Sequence, residues 1–184
     1  SLMIHISVGQ GANQIGACMW EKILRHKYAC EPLFDLQDCA RYIMVDSEPK
    51  VVQAAAARLN TVLSANQTAD SRRGSKSSSR TKLQSELEVV RESNCITSQE
   101  GRGNNWAVGC YGGSSTASTG SVTGFGSGYT GGIREGMEGS LSSRTMEALR
   151  REAERCDTYL GSVLAQSLSG GTGSGLGSRL LAEV

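Results

Sequence analysis

The sequence predicts an α/β domain built on a three-layer parallel sheet, and three observations carry that expectation. Short apolar runs alternate with amphipathic stretches in the order strand, helix, strand, helix, strand, helix. The first apolar run ends in Gly9-Gln10-Gly11 and the second in Asp46-Ser47-Glu48, so turn-forming and polar residues sit where ligands meet such sheets. The third observation is Ser169-Gly170-Gly171-Thr172-Gly173-Ser174-Gly175, which stands between an apolar run and a final amphipathic stretch. Backbone N–H groups of such a loop converge on a phosphate.

Each element has its own warrant. Ile4, Ile6 and Val8 alternate with His5 and Ser7 and run into Gly9, a strand that leaves His5 facing outward with no partner. A helix is expected from about Asn13 to Arg25, with Ile15, Met19 and Ile23 joining Trp20 and Leu24 on its apolar face. Tyr42 to Val45 reads as a second strand ending at Asp46, and Pro49 suits the first turn of a helix that buries Val51, Val52, Ala55 and Leu59. Ser143 to Cys156 reads as a helix with Met146, Leu149, Ala153 and Cys156 on one face and a favourable Glu147–Arg151 pair. A strand near Tyr159 to Ser167 follows, then the glycine loop, then a helix reaching Val184.

Composition sets the bounds. The chain has 184 residues, 38% of them hydrophobic, and a net charge of +1, which offers DNA or an acidic membrane no general attraction. Cys18, Cys30, Cys39, Cys95, Cys110 and Cys156 form no Cys-x-x-Cys pair, and His5 and His26 are the only histidines. Neither a zinc site nor a disulfide framework is expected, and the cysteines read as buried or inert in a soluble cytosolic protein. Two stretches, about 64–93 and 112–136, are low in complexity and are expected to loop out. The first contains the basic tract Ser71 to Lys82, which lacks the interleaved aromatics of a nucleic-acid binder. Trp106 reads as a packing residue.

Three phosphate-binding patterns can be tested. A P-loop needs a Gly-Lys pair, and the chain has none. The dinucleotide fingerprint Gly-x-Gly-x-x-Gly fails at Gln14, leaving a dinucleotide-binding enzyme as an alternative by fold analogy only. The third pattern matches in four places. Gly9 to Gly16, Val45-Asp46-Ser47-Glu48-Pro49, Gly103-Asn104-Asn105-Trp106-Ala107-Val108-Gly109 and Ser169 to Gly175 resemble, in order, the first, second, third and signature nucleotide loops of the tubulin family.

That resemblance implies a Rossmann-like tubulin nucleotide-binding domain over 3–184, GTP or GDP as ligand and Mg²⁺ beside it. Gln10, Gly11, Glu48, Asn104, Ser167, Gly170, Gly171, Thr172 and Gly173 would hold the nucleotide, and Asp46 and Glu48 the hydrated metal. Implied partners are other tubulins and microtubule or centriole proteins, with a place in the cytoplasmic cytoskeleton. Departures accompany the match: Gly11-Ala12 stands where the family has Cys-Gly, and Ser169 replaces a glycine. Ser169 and Leu176-Gly177-Ser178-Arg179 resemble the zeta and delta members, which implies centrioles or basal bodies. The segments that contact guanine in the family would lie after Val184, as would the residue that completes hydrolysis, so GTP turnover stays open. A nucleotide-free interaction module is the alternative outside enzyme chemistry.

Overall fold

The computed structural model describes residues 2–26, 33–35, 39–71, 88–99, 101–111 and 140–184. Four strands, β1 (Leu2–Val8), β2 (Tyr42–Asp46), β3 (Cys95–Thr97) and β4 (Tyr159–Gln166), pair in the order β3-β2-β1-β4, every pair parallel. Helices α1 (Gln10–Arg25) and α2 (Pro49–Ser71) follow β1 and β2, and α3 (Trp106–Tyr111) and α4 (Leu141–Glu154) lie between β3 and β4. After β4 a π-helical segment, Gly170–Leu176, runs into α5 (Gly177–Glu183). The expected parallel α/β sheet is present.

Alternation along the strands builds the layers. Tyr42 and Met44 join Ala17, Trp20, Val52 and Leu59 in one core, beneath α1 and α2. Ile4, Ile6, Val8, Ile43 and Val45 join Ala148, Leu149, Leu176 and Leu180 in the other, beneath α4 and α5. With helices on both faces, all five residues of β2 are buried.

The buried side of α1 differs from the apolar stripe expected of it. Ile15 is 71% exposed and Met19 40%, while Ala12, Asn13, Gly16, Ala17, Trp20 and Leu24 face the sheet. Small residues let the helix lie close: a Cβ on Gly16 would overlap the Tyr42 hydroxyl and stand 2.6 Å from Ser7 Oγ. His5, expected to point outward, is buried there too. Trp20 Nε1 donates to His5 Nδ1 at 2.8 Å, the Tyr42 ring stacks on the imidazole at 4.8 Å, and the Tyr42 hydroxyl donates to Ser7 Oγ at 3.0 Å. Burial pushes the His5 pKa down to about 4.

Other elements also depart from the expectation. α1 begins at Gln10, straight after Gly9, whose φ of 84° makes the turn. β3 has no counterpart in the periodicity reading. Of the stretch expected to loop out at 64–93, α2 extends to Ser71, and Val89 and Val90 are buried in the first core; 72–87 lies outside the described residues, as does 112–136. α4 buries Leu141, Thr145, Ala148 and Leu149, while Met146 is half-buried. The Glu147–Arg151 pair forms at 2.9 Å. Of the five described cysteines, Cys18 is exposed and the others are half-buried. Trp106 is 46% exposed and meets the Tyr111 ring edge-on.

At the end of the sheet where the strands begin, Glu152 is wholly buried. Its Oε1 accepts from Arg91 Nη1 at 3.0 Å, Asn94 Nδ2 at 3.1 Å and Arg155 Nη1 at 2.6 Å, and buried Arg41 stands 3.9 Å from Oε2.

Candidate functional site

Because the four strands are parallel, the loops that leave them gather at one edge of the sheet. β1 sits between β2 and β4, so the chain order reverses beside it and opens the crevice where open α/β sheets take ligands. The gathered loops touch. Gly9 packs on the π-helical segment so closely that a Cβ would stand 2.7 Å from Gly173 N. Ser47 Oγ and Thr172 Oγ1 share a hydrogen bond of 2.6 Å. Gly171 N donates to Gly103 O at 2.8 Å, and a Cβ on Gly171 would stand 2.5 Å from Arg102 O. The loop after β4 thus contacts the loops of the other three strands, and only glycine fits at the closest approaches.

Two helical N-termini meet there. Gly9 precedes α1 and Ser169 precedes the π-helical segment, and neither supplies a side-chain cap. First-turn N–H groups lack intrahelical acceptors and carry the positive end of the helix dipole, so two uncapped starts held together by Gly9 and Gly173 favour an anion.

Most of the residues expected at a site are brought together. Gln10 is exposed and Gly11 half-exposed at the start of α1, with open space where a Gly11 Cβ would be. Gly171, Thr172 and Gly173 are buried in the loop, and Gly170 has a φ of 85° beside open space. Ser167 Oγ accepts from Ser169 N at 3.2 Å. Thr172 is not a free hydroxyl, since it is paired with Ser47. Asn104 is exposed next to Gly103, whereas its neighbour Asn105 is an N-cap, with Oδ1 accepting from Ala107 N at 3.0 Å and Val108 N at 3.3 Å. Asp46 is buried and Glu48 exposed. Glu48 N donates to Asp46 Oδ1 at 3.3 Å, and burial holds the Asp46 carboxyl above the usual carboxylate range against the pull of that bond. An adjacent cation would reverse that shift.

Periodicity and composition missed Ser47, Asn13 and Arg102. Ser47 pairs with a residue 125 positions away, and Asn13 is buried in the first turn of α1. Arg102 Nη1 donates to Val108 O at 3.1 Å while its Nε is left over. No local signal marks any of the three.

Partnerless polar atoms mark the same place. Among the described residues, six buried side-chain polar atoms lack a hydrogen-bond partner: Asn13 Oδ1, Asp46 Oδ2, Ser98 Oγ, Arg102 Nε, Gln166 Oε1 and Glu152 Oε2. All but the last belong to residues at the loop edge. Each unmade bond costs about 1–3 kcal/mol, so such groups call for water, an ion or a ligand. The cradle therefore fits a phosphate with a cation: N–H donors and a guanidinium for the anion, buried oxygens for the metal side.

Fold and site define the class as a doubly wound α/β domain with a glycine-loop anion cradle at the switch point of its sheet. No family model matches the chain. The particular likeness is to tubulins. The chain is similar to the tubulin beta-1 chain of Geotrichum candidum, 29% identical over 202 residues, which cover 99% of this chain and 34% of that one. It is similar also to the nucleomorph tubulin beta chain of Guillardia theta, 28% identical over 203 residues with the same coverage of 99% and 34%. It spans about a third of the length of these curated relatives, and the similarity runs along almost its whole length. No helix among the described residues is long and apolar enough to cross a membrane.

Proposed function

We propose that this is a tubulin-type chain of the microtubule cytoskeleton that binds a guanine nucleotide with Mg²⁺ at the loop cluster. The carrying observation is the coincidence of the partnerless buried atoms with the packed glycine loops, in a chain similar to tubulins along 99% of its length. Gly170 and Gly173 bring backbone N–H groups to the phosphates, Gly171 fixes the loop against Gly103 O, and Gln10 and Gly11 bring the start of α1. Thr172 acts from its Ser47 pairing, and Asn104 and Ser167 line the approach. Magnesium, when bound, offsets phosphate charge; Asp46 and Glu48 suit it as carboxylates for an ion that keeps waters and takes phosphate oxygens.

The finer placement rests on Ser169 and on Leu176-Gly177-Ser178-Arg179, which support kinship with the zeta and delta members and residence at centrioles or basal bodies, alongside other tubulins. The matched relatives are named as beta chains. Tagged protein concentrated at centrioles supports this placement, and a uniform distribution along microtubules overturns it.

The binding reading is tested by titrating the purified chain with a fluorescent GTP analogue, with magnesium and with EDTA. The expected result is saturable, magnesium-dependent binding that unlabelled GTP displaces. Gly171→Val, which drives a side chain into Arg102 O and Gly103 O, should abolish it while circular dichroism shows the helices retained. No binding by the unmodified chain refutes the proposal.

A further inference from the structure

Arg102 stands half-buried in the loop between β3 and α3, and both ends of its side chain lie beside the glycine loop. At the stem, a Cβ on Gly171 would come within 2.7 Å of Arg102 Cβ. At the head, Nη1 donates to Val108 O at 3.1 Å, and a Cβ on the next residue, Gly109, would overlap Gly171 O. The guanidinium is thus tethered against the loop that follows β4. Val108 occupies only one corner of it. Nε is buried without an acceptor, and among the described residues no carboxylate forms an ion pair with this side chain. With Nη1 committed, the edge left over is the one formed by Nε and Nη2. That edge carries two parallel N–H donors whose spacing matches two oxygens of a phosphate, and the group stays charged at any pH at which the protein is folded. A buried donor with no acceptor in the chain calls for one from outside.

We propose that the Nε–Nη2 edge of Arg102 grips the phosphate chain of the nucleotide, which gives the site a fixed positive charge beside its backbone N–H groups. This rests on the nucleotide reading above and adds a side chain to it as a binding residue. It also accounts for a phosphate site in a chain without a Gly-Lys pair: the cation comes from the loop after β3 and not from the glycine loop itself.

The test is equilibrium binding of a fluorescent GTP analogue to the full chain in excess magnesium, with inorganic tripolyphosphate as competitor, for wild type, Arg102→Lys and Arg102→Gln. Arg102→Gln keeps a donor but no charge, and it should weaken both the analogue and tripolyphosphate by about 10–100-fold. Arg102→Lys keeps the charge without the fork and should fall between wild type and Arg102→Gln. A role confined to holding Val108 O would make the two variants alike, since either side chain ends in a donor. Equal losses in the two therefore overturn the inference, as does a wild-type affinity in Arg102→Gln. If circular dichroism shows that Arg102→Gln does not fold, Arg102→Lys decides: a wild-type affinity for tripolyphosphate overturns the inference, because a point charge does not supply two parallel donors. Failure of wild type to bind the analogue removes the nucleotide reading and this one with it, whereas wild-type binding with unshifted variants removes this one alone.

Discussion

Replacing Glu152 by alanine should be among the most damaging single changes away from the loop cluster. The carboxylate is wholly buried and gathers Arg91, Asn94 and Arg155 on Oε1, with Arg41 at 3.9 Å from Oε2. These partners do not lose equally. Arg155 is 41% exposed and returns to water, and Arg91 keeps its ion pair with Asp35. The loss therefore falls on Arg41, 3% exposed, and on buried Asn94, whose remaining bond to Tyr42 O is 3.3 Å. Stranding a buried charge costs about 3–5 kcal/mol, and the Asn94 bond to a charged acceptor adds to that, so about 4 kcal/mol is expected. Against a total of about 5–15 kcal/mol for a domain, such a change leaves the fold marginal. Glu152→Gln keeps the shape and one acceptor oxygen and should lose about half as much. Urea unfolding followed by circular dichroism reads both, with the denaturant slope checked for constancy. Destabilisation of Glu152→Ala by less than about 1 kcal/mol would refute the view that this carboxylate holds the strand-starting end of the sheet together.

Three further outcomes are expected. Ile15→Gln should change stability by no more than about 0.5 kcal/mol because the side chain is largely exposed, whereas Gly16→Val should destabilise by several times that by driving into Tyr42 and Ser7; similar urea midpoints for the two variants would contradict the buried face of α1. His5 has its pKa lowered from 6.5 to about 4, so its neutral form stabilises the fold above pH 6.5 and that contribution is lost as pH falls through about 4. The difference amounts to about 3 kcal/mol, and unfolding midpoints between pH 7 and pH 4 should show it in wild type and not in His5→Gln; equal pH slopes would count against it. Thr172→Ala should leave Ser47 Oγ unpaired in a buried site and weaken nucleotide binding by about tenfold, while Thr172→Ser should restore it; equal affinities of the two variants would remove the hydroxyl pair from the account.

Much of the sheet was legible because strands announce themselves by alternation or by short apolar runs, as β1, β2 and β4 do. β3 was not. Cys95-Ile96-Thr97 is three residues long, and what makes it a strand is its pairing with Met44, Val45 and Asp46. The buried face of α1 is hidden from the sequence for a related reason. A count of large apolar residues favours Ile15 and Met19, but the helix approaches the sheet on Gly16, Ala17 and Ala12, where lack of bulk is what matters. Alternation alone points His5 outward, because its partner Trp20 lies fifteen residues on, in α1. Val89 and Val90 stand among polar neighbours and reveal themselves only in the core. At the site, the glycine-rich composition marked the loops, while the Ser47–Thr172 pair, the burial of Asn13 and the spare Nε of Arg102 arise only when distant segments meet.

The loop after β4 rests on Gly9, Ser47 and Gly103, and each contact closes a long stretch of chain; the Ser47–Thr172 bond spans 125 positions. Such closures are entropically expensive and slow to form, since the most distant parts of the chain must find one another first. During synthesis the loop edge thus stays unfinished until β4 has emerged and paired with β1, which precedes it by about 150 residues. The cradle is a late checkpoint of folding. A ligand that binds it selects chains that have completed their sheet and draws them toward the native state by mass action.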